Sequence, residues 1–368
     1  MNEVSSQDPW PPGVGPQAWA QITAGLLQRT RLLEAMAQQV YAPGQSPHTA
    51  LPSALTLGHG AYLPQLHRLA PPGGRWLGLM TFDIAPDANG LWWVLGQCSR
   101  ASWPEPVSTR PRHPSAPLTQ WLRRWQSVAP AAPDVSPLWV ALLPATADPL
   151  ATGEQPVWRE WGLQPARADQ LQVRQGRLWW HHDTGLRPVQ GMINLQGDDV
   201  LDPLEQTCDP HLGIAGLFGV LRHGQLVLLN APGLVFLDTP AWLGFLPALT
   251  QSLLLEPLRM PSITSWWCGE PSVARLALER GHDHWIVPTY PDDGLRPHFN
   301  PQSVDALSDV QRSAWGQRMR EDGAAYTVQS RWHGAAPWRV LTLIDPDGGG
   351  SALTLGPTDA WPQPAPWI

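Results

Sequence analysis

From Pro137 onward, short apolar runs alternate with amphipathic stretches, and this alternation restricts the fold more than any other feature of the chain. Pro137 to Leu143 (PLWVALL) reads as a buried strand. Strand and helix signals then alternate through Leu171 to Val173, Leu178 to His181, Gly213 to Leu221, Leu226 to Leu229 and Trp242 to Leu255. The pattern predicts an α/β architecture rather than an all-β sandwich. Upstream, Pro16 to Tyr41 carries Ile22, Leu26, Leu27, Leu33, Met36 and Val40 at three- and four-residue spacing, which predicts a long amphipathic helix. A short helical patch follows near Pro52 to Leu57. Leu77 to Ile84 and Leu91 to Leu95 read as strands of a hairpin whose turn is supplied by Asn89-Gly90. Leu118 to Val128 and Val304 to Arg320 read as helices, and Tyr326 to Ser330 and Trp338 to Ile344 as strands. Proline clusters at Pro104 to Pro117, Pro130 to Pro137 and Pro357 to Pro366 read as loops, a linker and an irregular tail.

All 24 positions counted as Lys plus Arg are arginine, so the chain has no lysine. That excludes Schiff-base, pyridoxal-phosphate and standard P-loop chemistry, each of which needs an ammonium group. Few Tyr and Phe beside many Pro, Gly, Ala and Trp fit a genome rich in G and C. Only 15% of residues are charged, the net charge is -7, and no basic run exceeds Arg123-Arg124. Electrostatic nucleic-acid binding is therefore not expected. The apolar stretches near Leu212 to Val220 and Leu226 to Phe236 are broken by Arg222, His223, Asn230 and Pro232, so no membrane span is expected. The N-terminal MNEVSSQDPWPPG has neither a basic start nor an apolar core, which points to the cytoplasm. Cys98, Cys208 and Cys268 are odd in number and far apart, as expected of reduced thiols.

The 22 tryptophans invite a stacking role, yet Trp92-Trp93, Trp179-Trp180 and Trp266-Trp267 lie in or beside strand patterns. One ring of each pair is expected to face inward and its neighbour outward. His181-His182-Asp183 and His282-Asp283-His284 place adjacent side chains on opposite strand faces, a poor chelating arrangement. No metal site is expected from either.

Several blocks carry a more specific signal. WAQITAGLLQRTRLLEAMAQQVY (Trp19 to Tyr41), TFDIAPDANGLWWVL (Thr81 to Leu95) and DDVLDPLEQTCDPHLGIAGLFGVLRHGQLVLLNAPG (Asp198 to Gly233) are followed by SWWCGE (Ser265 to Glu270), IVPTYP (Ile286 to Pro291) and YTVQS (Tyr326 to Ser330). In order and spacing these resemble the circularly permuted type 2 ATP-grasp proteins. The resemblance implies an α/β fold of α+β lobes that hold MgATP between them, and a carboxylate-activating ligase working through an acylphosphate. It also implies a helix-and-hairpin lobe at residues 1–130 and central and C-terminal lobes at 131–368. Set against longer relatives, the resemblance implies that this sequence starts after a segment they carry ahead of it and stops short of their lysine-containing G-G-x-S-x-D-x-W block. Gly348-Gly349-Gly350-Ser351 reads equally as a hairpin turn.

Position by position, the resemblance weakens at the chemistry. Where the family has V-L-E-D-N-x-R, with a Glu and an Asn that look like a metal-binding pair, this chain has Gly96 and Cys98. Neither replaces a hard oxygen ligand. The lysine of V-I-K-P-T-Y aligns with Val287, which binds no phosphate. The family's R-R-V-D-D-D becomes Asn194 to Asp199, losing both basic residues and one acid. Asp198, Asp199, Asp202 and Arg339 remain as vestigial catalytic positions, and Arg100, Asn230 and Gln329 as vestigial nucleotide positions. Asp202-Pro203 and the Asn230 to Gly233 segment read equally as turn and capping devices.

The expectation is a catalytically degenerate ATP-grasp-like protein without a bound cofactor, acting as scaffold or regulatory partner. By resemblance, its partner is an intact relative or a neighbouring helical or transglutaminase-like protein. One alternative keeps an ATP-dependent carboxylate-amine ligase, with Arg100 and Arg339 in place of lysines and Asp198, Asp199 and Asp202 holding magnesium. A second alternative is a peptide or glycan binder using tryptophans of the old cleft.

Overall fold

Helix α1 spans Pro16–Tyr41 in the computed structural model, which describes residues 10–42, 51–100, 116–131, 138–145, 161–183, 185–279, 283–291 and 299–358. Pro16 sits in its first turn, where a missing N–H leaves no intrahelical bond unmade. Trp19, Ile22, Leu26, Leu33, Met36 and Val40 are buried, as their spacing predicts, while Leu27 is half-buried. Burial extends beyond one stripe, because Gln28, Arg29, Thr30 and Glu34 are buried too. Buried polar groups must be paired. Glu34 accepts N–H bonds from Trp76 and Leu77 at 2.8 Å each, and Arg29 donates to Met260 O at 3.0 Å. Gly25 permits that approach, since a Cβ there would stand 2.5 Å from Met260 Cγ.

The predicted hairpin is β1 (Leu79–Pro86) and β2 (Trp92–Cys98). Its turn depends on Asp87 as well as Asn89-Gly90: the Asp87 carboxylate accepts from Asn89 N at 2.8 Å and Leu91 N at 3.0 Å, and Gly90 takes a φ of 81°. Helix α2 (Ala116–Val128) is followed by β3 (Trp139–Leu142), β4 (Leu163–Ala166), β5 (Leu171–Arg174), β6 (Arg177–His182), β7 (Gly185–Pro188) and β8 (Gly191–Asn194). Next come α3 (Leu217–Arg222), β9 (Val227–Leu229), α4 (Trp242–Leu253), β10 (Ser265–Trp267), α5 (Pro271–Glu279) and β11 (His284–Pro288). The chain continues with β12 (Gln302–Ser303), α6 (Asp309–Asp322), β13 (Tyr326–Ser330), β14 (Trp338–Ile344) and β15 (Gly350–Pro357).

Strands from both ends of the chain share one antiparallel sheet, in the order β15-β14-β1-β2. Met80, Phe82, Ile84 and Val340 face the cluster that contains α1, whereas Leu79, Leu341 and Leu343 pack with Trp121 and Trp125 of α2. A second sheet, β4-β3-β8-β9, is parallel and its β3, β8 and β9 are buried along their whole length, as a parallel sheet requires. β5-β6-β7 forms a small antiparallel sheet. The fourth sheet, β10-β13-β11-β12, is antiparallel, with α5 and α6 contributing to a core of Ala274, Ile286, Trp315, Met319 and Val328. A parallel bridge between Val94 and Ser262 ties the lead-in of β10 to the β2 edge of the first sheet.

Several expectations are corrected. The helix read over Val304 to Arg320 begins at Asp309, after a separate 3-10 turn at Val304–Ala306, because Ser308 forms an N-cap with Gln311 as its box partner. The Pro52 to Leu57 patch is a single 3-10 turn, Ser53–Leu55. β4, β7, β8 and β15 carry no strand signal strong enough to be read beforehand, and the Gly348 region is the turn between β14 and β15. Trp92 and Trp93 are both half-buried rather than one in and one out, since a register shift follows Asp83 and Trp93 packs on Trp332 at 6.2 Å between ring centroids. Trp180 is more buried than Trp179, and Trp267 more than Trp266, as alternation predicts. His181, His182 and Asp183 are exposed, and Asp283 meets the His333 ring. His282 and most of the three proline clusters lie outside the described residues.

Candidate functional site

The parallel strands β8 and β9 end side by side, and ligands of such sheets bind beyond their carboxyl ends. Asn194 closes β8, Asp198 opens a 3-10 turn four residues on, and Asn230 follows β9. The end of β2 delivers Ser99 and Arg100 to the same place, and the 3-10 turn Val235–Asp238 adds Asp238. Asp198 Oδ1 accepts from Asn194 Nδ2 at 2.9 Å, and Oδ2 from Gly233 N at 2.8 Å. Loss of hydration pushes this carboxyl up to about 6, against the opposing pull of the Gly233 N–H and the Arg100 charge.

Asp238 is the deeper acid. Ser99 N donates to its Oδ1 at 2.5 Å, and Arg100 Nε stands 3.9 Å from its Oδ2. Burial raises it to about 7 despite Arg100. One guanidinium thus lies in the field of two carboxyls that both resist ionisation. Cys98, fully buried beside them, has its thiol pushed far up by burial and by Asp238, which disfavours the thiolate. Sequence reasoning marked Cys98 as a lost ligand position but did not find Asp238. Asp238 follows an apolar run and carries no motif of its own.

The other candidates are committed elsewhere. Asp202 is completely buried; its Oδ1 accepts from Leu204 N at 3.0 Å and Gly216 N at 2.9 Å, and its Oδ2 from Phe218 N at 2.9 Å. It is the N-terminal cap of α3 supplied from a distance in sequence. Asn230 Oδ1 accepts from Gly78 N at 2.7 Å and Leu79 N at 3.0 Å, while its Nδ2 donates to Leu79 O at 2.9 Å and to Ser99 O. That side chain pins β9 to the start of β1 and the end of β2. Asp199 is exposed.

Arg339 on β14 lies opposite Asp83 on β1 and grips it bidentately, Nε to Oδ1 at 3.0 Å and Nη2 to Oδ2 at 3.2 Å. Asp83 has no exposed surface, and burial raises its carboxyl while Arg339 opposes the shift. On the other side of Asp83 stands Gly96, and the next position on that face pairs Thr81 with Cys98. Gln329 lies apart, on β13, where its Nε2 donates to Ser265 Oγ at 2.9 Å. Strand alternation places Gln329, Thr327 and Val287 on one face of the fourth sheet and Ile286, Val328 and Tyr326 on the other, towards α6.

Magnesium requires several hard oxygen ligands in near-octahedral geometry. On the face of the first sheet that carries Gly96 and Cys98, Asp83 has both oxygens held by Arg339. Among the described residues no three His, Cys, Asp or Glu side chains gather as a metal site. On this face of the first sheet the residues do not supply the oxygen ligands that a magnesium-nucleotide complex needs. No helix among the described residues is long and apolar enough to cross a membrane.

Comparison with known proteins agrees with the architecture. A sequence model of the circularly permuted ATP-grasp type 2 family matches residues 11–108 and 100–338. An uncharacterised protein of Mycobacterium tuberculosis is 26% identical over 294 residues, 75% of this chain and 32% of its own length. An uncharacterised protein of Synechocystis is 23% identical over 361 residues, covering 92% of this chain and 73% of that protein. The chain thus spans about a third of the mycobacterial relative. Among solved structures, a glutathione synthetase-like effector of Globodera pallida in its apo form superposes with a TM-score of 0.53 over 93% of this chain and 83% of that one, at 10% identity. That likeness concerns the fold. With sequence blocks, sheet order and family match in agreement, the chain belongs to the circularly permuted ATP-grasp type 2 family.

Proposed function

We propose that this protein is a catalytically degenerate ATP-grasp protein that acts as a scaffold or regulatory partner of an active ligase. The observation that carries this reading is the Asp83–Arg339 ion pair flanked by Gly96 and Cys98. The one carboxylate beside the positions of the family's metal-like Glu and Asn is neutralised by Arg339, and Gly96 and Cys98 at those positions offer no hard ligand. Val287, 4% exposed on the fourth sheet, supports the same reading, because an isopropyl group cannot neutralise a phosphate. Asp202 and Asn230 serve as structural hydrogen-bond centres, which explains their retention without chemistry. The proposed partner is an intact ATP-grasp relative or a helical or transglutaminase-like protein encoded beside it, in the cytoplasm. The division into a helix-and-hairpin lobe at 1–130 and further lobes at 131–368 belongs to the same proposal.

A second reading is favoured by one observation, the Arg100 guanidinium between Asp198 and Asp238 at the ends of β8 and β9. An atypical ligase would use Arg100 for phosphate and these acids for a metal. Calorimetric titration with ATP, with and without Mg²⁺, separates the two. The degenerate reading expects no heat at millimolar nucleotide; micromolar, magnesium-dependent binding would sink it and revive the ligase.

A further inference from the structure

The face of the fourth sheet that carries Val287 and Gln329 is the one a nucleotide would use in this family. The opposite face holds a separate cavity of 670 Å³ between α6 and the ends of β11 and β13. That volume is in the range of small-molecule sites, about 300–1,000 Å³. Its apolar wall is an aromatic trio: Phe299, Trp315 and Tyr326 have ring centroids 5.4, 5.7 and 5.3 Å apart in their three pairings. Arg318 and Asp322, one helical turn apart on α6, are the charged side chains of a lining that also includes Gln302 and Gln311.

That turn is spaced for an intrahelical ion pair. Arg318 instead lies over the Trp315 ring, its Cζ 5.1 Å from the centroid. A guanidinium over an indole face is attracted to the ring while its N–H donors remain able to bind a carboxylate. Asp322 presents the opposite charge on the same wall. The Tyr326 phenol feels both groups, raised by Asp322 and lowered by Arg318 after the larger effect of burial. We infer that this cavity binds a free aromatic α-amino acid: the ring packs against the aromatic trio, the carboxylate meets Arg318 and the ammonium meets Asp322. A ligand with only one charge would leave either Arg318 or Asp322 facing a like or absent partner. Because strand alternation separates this cavity from the Val287 face, occupancy here does not depend on nucleotide chemistry. The inference stands whether the protein is a degenerate scaffold or a ligase.

The test is calorimetric titration of the full chain with L-phenylalanine, phenethylamine, which lacks the carboxylate, and 3-phenylpropionate, which lacks the ammonium. Saturable binding of L-phenylalanine is expected, with each truncated ligand weaker by about tenfold. In Arg318→Gln the preference for L-phenylalanine over phenethylamine should vanish, and in Asp322→Asn the preference over 3-phenylpropionate. Both side chains are exposed, and circular dichroism checks that the variants fold. The ligand series on the unaltered chain tests the idea without any variant. Absence of saturable heat with L-phenylalanine, equal binding of all three ligands, or unchanged selectivity in both variants overturns it.

Discussion

Asp202 shows how a residue can look catalytic in sequence while its chemistry is architectural. Its three backbone N–H bonds hold the turn after it and the start of α3. Asp202→Ala should therefore cost about 2–4 kcal/mol of stability, read as a lower denaturant midpoint, because buried donors lose their acceptor. Asp238 and Asp198 make a prediction of a different kind. Their folded values, about 7 and about 6, lie above the ordinary carboxyl value of the unfolded chain, near ~4. Between those limits the folded protein holds protons that the unfolded chain has released. These two groups therefore contribute most at acid pH, and stability falls as pH rises from about 4 to about 7. Thermal melts should be higher near pH 5 than near pH 8 for this reason, and Asp238→Asn should flatten the dependence; an unchanged slope in that variant would contradict the assignment. At this scale the sequence exposed which residue types were missing, Gly96, Cys98 and Val287. It did not expose Asp238, whose importance comes from a chain segment brought back against Ser99 and Arg100.

At the level of elements, legibility followed the strength of the local signal. α1 and the strand Trp338–Ile344 were readable to the residue because apolar patterning and flanking Gly and Pro coincide there, and Tyr326–Ser330 because it alternates β-favouring residues with polar ones. β8 (GMIN) was not, since four residues offer no period and its burial comes from β3 and β9 on either side. Helix α2 docks through two indole N–H groups: Trp121 Nε1 donates to Gly78 O at 3.1 Å and Ile344 O at 2.8 Å, and Trp125 Nε1 to Ile344 O at 2.9 Å. Trp121→Phe keeps most of the packing and removes the two Trp121 bonds while leaving that of Trp125, so a loss of about 1–2 kcal/mol in chemical denaturation is expected. A larger loss is expected for Gly25→Val, since the side chain would collide with Met260 and force α1 away from it. Its measurement is the same denaturation curve, with 1–3 kcal/mol lost as the typical scale of overpacking.

Across the whole molecule, β1 is bounded on one side by β2 and on the other by β14, which lies more than 250 residues later in register with it. Truncation after Ala335 removes β14 and β15, exposes Phe82 and Leu79 and leaves the Asp83 carboxyl without Arg339. The shortened chain is expected to lose its cooperative melt. A melt like that of the intact protein would mean that the first sheet does not depend on its late strands.

The α/β class, the long first helix, the hairpin and the family were determined by the sequence alone, because periodic burial and ordered motif blocks are local properties. The absence of lysine and of metal-ligating side chains at Gly96 and Cys98 was equally local. What only the tertiary structure decided was the fate of the surviving polar residues. Asp202 and Asn230 became hydrogen-bond centres, Arg339 closed on Asp83, and Asp198 and Asp238 gathered around Arg100. Those outcomes depend on which distant backbone amides and charges a fold brings within about 3 Å, and no spacing along the chain encodes that distance.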